Sequence, residues 1–173
     1  GTGLGADWHG VIFRKIYREL ADILQKAERW FSVMFPGFHL SKSPPHVGSF
    51  PTGEKLVFSH FERESDYWAY HGFEIPFIAW EELTTHASPS GYLMMMSCSR
   101  SRNPRVPIKY RANTNPYGVG HNWVRLRFNL HKPRRGSLGD LISEHYVDPL
   151  GKTHQRYRIA IRGQLSENKV LLH

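Results

Sequence analysis

An apolar run that ends in adjacent carboxylates constrains this chain more than any other segment. Phe77, Ile78, Ala79 and Trp80 have strand character, and Glu81, Glu82, Leu83 and Thr84 follow directly. Two carboxylates are costly to bury without partners, so a buried strand here must reach solvent at Glu81. Carboxylates at such an exit can divide their work: one faces a hydrated Mg²⁺, and its neighbour polarises an attacking water. The same pair suits the first turn of a helix, where acidic side chains are favoured, and pattern alone leaves the two readings even.

The remaining segments supply a sheet for that strand. Residues 11–15 read as a short buried strand. A helix follows, with Tyr17, Leu20, Ala21, Leu24, Ala27 and Phe31 on one face. Residues 46–50 and 55–61 read as a β-hairpin around Pro51-Thr52-Gly53-Glu54, residues 62–72 as a short aromatic helix or turn, and 74–80 as the buried strand itself. Ser88 and Pro89 suit the N-cap and first position of a helix running to about residue 101. Residues 106–113 read as a strand, 120–129 as a helix, and 131–137 as a basic, turn-rich linker. Short elements follow at 140–145 and 156–162. Strands alternating with helices predict a mainly parallel α/β sheet with one inserted hairpin.

Bulk properties narrow the classes. A chain of 173 residues is expected to form one domain with a single core. No apolar run approaches the ~20 residues that cross a bilayer, and the start lacks the basic and apolar regions of a signal peptide. Cys98 is the single cysteine, so an intrachain disulfide is excluded, and its Met-rich surroundings read as a buried helix. Eleven His residues are scattered without metal-ligand spacing, which argues against zinc. A formal net charge of +8 favours a polyanionic partner.

The order of motifs is specific. It runs Ile12-Phe13-Arg14, a Tyr17-x-x-Leu20 helix, an aromatic hairpin, Asp66-Tyr67-Trp68-x-Tyr70-His71-Gly72, then the acidic pair with Leu83-Thr84. Thr114-Asn115-Pro116-Tyr117-Gly118 follows, before an Asn122-Trp123-Val124 helix. In this order the chain resembles the large subunit of tailed-bacteriophage terminases, motor ATPases that package DNA into procapsids, from about Gly3 onward. The resemblance implies a partial P-loop NTPase fold of the ASCE type: a mainly parallel sheet flanked by helices, with an inserted β-hairpin. Residues 1–173 would form the distal part of that ATPase domain, without its first β–α unit. Residues 131–173 would be the basic linker and last elements leading toward an absent nuclease domain.

The resemblance also implies roles. Glu81 takes the Mg²⁺-facing Walker B position and Glu82 that of the catalytic carboxylate. The commoner pattern has Asp first, and Glu81 is one methylene longer. Thr114, supported by Asn115, belongs to the motif that couples nucleotide state to DNA movement; an ordinary Asn-Pro turn looks the same. Thr84 and Thr85 are weaker candidates for that work. Arg100 and Arg102 are candidates for sensing a γ-phosphate, although either also suits a helix C-terminus. Arg125, Arg127, Lys132, Arg134 and Arg135 form the expected DNA-binding cluster. Tyr67, Trp68, Tyr70 and His71 read as a packed aromatic layer beneath the acidic strand, or as a stacking platform for nucleic acid. The implied cofactors are ATP and Mg²⁺ in the intact protein. The implied partners are double-stranded DNA, a portal ring, a small terminase subunit and sister copies, in the host bacterium's cytoplasm at the procapsid and not in a membrane.

Two sequence features are missing. Gly-x-x-x-x-Gly-Lys followed by Ser or Thr, whose backbone N–H groups and Lys cradle phosphates, does not occur. Asp7, Asp22, Asp66, Asp140 and Asp148 do not form the spaced set of a two-metal nuclease. The chain alone is therefore expected not to hydrolyse ATP. A non-hydrolysing DNA-binding remnant and a fragment of another ASCE-type, helicase-like motor are the alternatives.

Overall fold

The computed structural model describes residues 3–133, 140–147 and 150–163. They fall into two compact units, Gly1–His121 and Asn122–His173, where one core was expected. The first unit is a mixed α/β layer structure. Its six-stranded sheet has the order β2-β3-β4-β1-β5-β6, with β1 His9–Arg14, β2 His39–Leu40, β3 His46–Ser49, β4 Lys55–His60, β5 Phe77–Trp80 and β6 Lys109–Ala112. β4, β1, β5 and β6 run parallel; β3 pairs antiparallel with β4 in the expected hairpin, and β2, which was not expected, adds antiparallel to β3.

β1 is central because it can be buried on both faces. Ile12 and its neighbours meet α1 (Leu20–Met34), whose Leu20, Ala27 and Phe31 pack with Leu40, Leu56 and Phe58. Gly10 lets β1 sit this close to its neighbours: a Cβ there would come within 2.8 Å of the Phe77 ring. The opposite face is aromatic. Phe13 and Trp80 lie 4.9 Å apart, with Phe61, Tyr70 and Tyr92 around them, all between ring centroids 4.9–5.9 Å apart. Full burial of each such side chain is worth about 1.5–3 kcal/mol. The Glu64–Ala69 turn and α2 (Ser90–Met94) cover this face. Of the four aromatic-layer candidates, Tyr67 is buried and Tyr70 packs on Phe13, whereas Trp68 is 67% exposed.

Several elements are shorter than the sequence suggests, and prolines explain two of them. β5 starts at Phe77, not residue 74, because Pro76 has no N–H for the ladder, although its carbonyl still accepts from Lys109. β6 starts at Lys109, after Pro107 and a turn in which Val106 N–H donates to Asn103. The helix expected to reach residue 101 is α2 followed by a tighter turn, Met95–Cys98. Tertiary bonding ends it: the Cys98 carbonyl accepts N–H groups from both Ile75 and Arg100. The helix begins one residue later than expected, at Ser90 with Pro89 as its N-cap, and the Ser88 hydroxyl accepts the Ser90 N–H at 3.1 Å from just outside it.

α3 (His121–Arg127) begins at the boundary between the units, and the second unit also holds an antiparallel hairpin of β7 (Asp140–Val147) and β8 (Thr153–Ala160). The two short elements expected there are thus one ribbon. Asn129 takes a left-handed conformation after α3. The Arg162 guanidinium donates to the carbonyls of Asn129, Leu130 and Lys132, at the negative end of the helix dipole. Among the described residues no helix is long and apolar enough to cross a membrane.

Candidate active site

The topology itself marks a place for a ligand. From β1 the chain passes to β4 on one side, carrying α1, then crosses back to begin β5 on the other side of β1. Strand order reverses between β1 and β5, and in open parallel sheets a crevice opens beyond the C-terminal ends of two such strands. Arg14 emerges there from β1 and Glu81 from β5. Arg14 Nε donates to Glu81 Oε2 at 2.8 Å, with side chains 15% and 23% exposed. Beside the pair a depression of about 210 Å³ is lined by Ile12, Ile23, Ala79, Glu81, Arg111 and Asn113, among others.

Glu82 is held in a different way from Glu81. Its backbone is left-handed, with φ 57° and ψ 51°, which costs a non-glycine residue about 1–2 kcal/mol. Hydrogen bonds pin it on both sides. Its N–H donates to Asn113 Oδ1 at 3.0 Å, and its carbonyl accepts the Thr85 N–H and hydroxyl at 2.9 and 2.7 Å. Its carboxylate has no hydrogen bond or ion pair among the described residues. Successive side chains of an extended strand alternate between faces, and the left-handed turn breaks that alternation immediately after Glu81. One carboxylate is engaged by an Arg, and its neighbour, on a fixed backbone, has no polar partner among the described residues.

The second polar segment is stitched to the first. Asn113 N–H donates to the Trp80 carbonyl and its own carbonyl accepts from Leu83, both at 3.0 Å. Thr114 Oγ1 accepts the Thr84 N–H at 3.2 Å and lies 2.6 Å from Thr84 Oγ1. The Asn115 carbonyl accepts from both Thr hydroxyls, at 3.3 and 3.1 Å. Gly120 N–H closes the loop on the Thr84 carbonyl at 2.8 Å, just before α3 begins. Gly118 is needed for this approach: its φ is +106°, and a Cβ would sit 2.6 Å from the Thr84 oxygen. Thr84, ranked low on sequence grounds, is the buried hub of the junction. Beneath it His86 packs edge-on against Trp80, and burial, with the Lys15 charge second, lowers its pKa to about 4.

The other sequence candidates lie elsewhere. Arg102 Nε pairs with Glu74 at 2.9 Å, and the Arg100 guanidinium donates to the Gly72 carbonyl at 3.0 Å. Both sit before the start of β5, at the opposite end of the strand from Glu81, so the fold does not bring them to the acidic pair within one chain. Arg125 and Arg127 occupy the last turn of α3, and Lys132 follows it. Arg134 and Arg135 lie outside the described residues. Asn113 is the residue that sequence reasoning passed over: it ended the strand expected over 106–113, but only the register of β6 beside β5 shows what its amide reaches. Among the described residues no group of three or more His, Cys, Asp or Glu side chains could hold a metal. No protein-family model matches the chain, and neither a curated protein nor a solved structure does.

Proposed function

We propose that this chain is the distal part of the ATPase domain of a terminase large subunit, which couples ATP hydrolysis to packaging of double-stranded DNA. The observation that carries the reading is the asymmetry of the acidic pair at the switch point: Glu81 held by Arg14, Glu82 free on a pinned left-handed backbone. Glu81 would face Mg²⁺, which shields the phosphate charge when bound, and Glu82 would accept a proton from, and orient, the attacking water. A single carboxylate fits this use, because Mg²⁺ in such sites takes one or two carboxylates and completes its shell with water and phosphate. Thr114, through Thr84, would report the state of this site to Gly120 and the start of α3.

An open flank of the sheet supports an ATPase sheet that still lacks its first β–α unit. Among the described residues β6 pairs only with β5, and Lys109 and Arg111 are exposed on the α1 side of the sheet, beyond the reach of α1's core. A parallel strand with its following helix would fill this edge and face, bringing a phosphate-binding loop beside Asn113 and Glu81. In the full-length protein that carries such a loop, Glu82→Gln should bind ATP and stall, whereas Glu81→Ala should weaken Mg²⁺-dependent binding. Equal loss of nucleotide binding in both variants would make the pair structural and sink the proposal. A second reading, a DNA-binding module without turnover, is favoured by Arg125 and Arg127 in one helical turn and the absence of any phosphate cradle in the sequence. Salt-sensitive DNA binding by a full-length protein with no ATPase activity would select it.

A further inference from the structure

Glu82 carries backbone strain, and among the described residues its carboxylate makes no hydrogen bond or ion pair in return. Glycine takes the same conformation freely, so the conformation alone gives no reason for a glutamate. Strain held in place by surrounding bonds, at a residue whose reactive group is unengaged, is the signature of a pre-organised functional group. The bonds that hold it come from two places. Thr85 is local, three residues on, and would follow Glu82 through any movement. Asn113 belongs to the neighbouring strand's exit and is itself fixed by main-chain bonds to Trp80 and Leu83, on either side of the acidic pair.

We propose that Asn113 is the positioning residue for Glu82: its side-chain Oδ1 fixes the left-handed backbone, and thereby the place of the free carboxylate relative to Glu81. The inference rests on the reading of Glu82 as the water-orienting group. Asn113 touches no reacting atom in this role. It also lines the depression beside Glu81 and Arg111, so a ligand entering there meets the residue that holds Glu82. Occupancy of the depression and the aim of Glu82 are then linked through one amide.

Amide hydrogen exchange on the full chain tests the clamp. Asn113→Ala should speed exchange at the Glu82 amide by about tenfold, the effect of losing one hydrogen bond. The Leu83 amide should stay protected, since it uses the main-chain carbonyl of residue 113, and this also shows that the variant is folded. Asn113→Asp retains an acceptor oxygen and should restore protection at Glu82. In the full-length protein, Asn113→Ala should lower kcat for ATP with KM unchanged, and Asp should recover most of it. Unchanged exchange at Glu82 in the Ala variant overturns the inference whatever the activity. So does lost protection with full kcat. Should the unaltered full-length protein fail to turn over ATP, the functional reading falls, and the exchange result by itself still decides whether Asn113 fixes Glu82.

Discussion

Replacing Glu82 by glycine and, separately, by alanine distinguishes strain in its backbone from the chemistry of its carboxylate. Both changes delete a carboxylate that has no hydrogen bond or ion pair among the described residues, so neither loses a polar contact there. Alanine still carries the left-handed penalty of about 1–2 kcal/mol, and glycine does not. Glycine's greater freedom in the unfolded chain takes back about 0.5–1 kcal/mol. Glu82→Gly should therefore be more stable than Glu82→Ala by roughly 0.5–1 kcal/mol, or about 1–4 °C in Tm. The alanine variant should lie within about 0.5 kcal/mol of the parent. Urea unfolding followed by tryptophan fluorescence measures both, since Trp80 is buried two residues away. A glycine variant no more stable than the alanine variant would mean that the backbone at Glu82 is unstrained, and the argument from strain to function would lapse.

Further outcomes follow from the same geometry. The chain by itself should release no phosphate from ATP above background, with or without DNA; sustained turnover abolished by Glu82→Gln would show that a phosphate cradle was missed. Gly118→Ala should destabilise the junction by about 2 kcal/mol or more, because both its positive φ and the nearby Thr84 oxygen oppose a Cβ; a thermal melt that did not move would refute the close approach. His86 is neutral when folded down to a pKa of about 4, against 6.5 for its ordinary value, so the unfolded chain gains its proton first. Stability should fall as pH drops from about 6.5 to about 4, by up to about 3 kcal/mol from this group, and His86→Gln should flatten that slope in pH-resolved urea melts. Replacing Lys132, Arg134 and Arg135 with Ala should weaken double-stranded DNA binding equally for unrelated sequences and flatten its salt dependence, which is about −0.9 in log–log slope per phosphate contacted. Identical salt titrations for variant and parent would place DNA contact elsewhere.

Local pattern determined a good part of this protein. Apolar runs bounded by turn residues gave β1, the β3–β4 hairpin and β5, and apolar spacing placed Leu20, Leu24, Ala27 and Phe31 on the packed face of α1, because period and composition act within a few residues. Ala21 is nevertheless exposed, and Tyr17 lies exposed in the turn before α1. The acidic pair at the end of β5 was legible for the same reason: charge following an apolar strand must mark its exit. Tertiary structure decided the rest. The strand order that puts Arg14 against Glu81 depends on which strands pair, and residues 67 positions apart leave no local trace of that contact. The left-handed turn at Glu82 runs against the preference of its own residue type and exists because Asn113, 31 residues on, holds it. Arg100 and Arg102 looked available in the sequence, and packing gave them to Gly72 and Glu74 at the other end of the strand. Sequence supplied the candidate chemistry, whereas long-range register chose which side chains meet, since each contact depends on pairings that no single segment encodes.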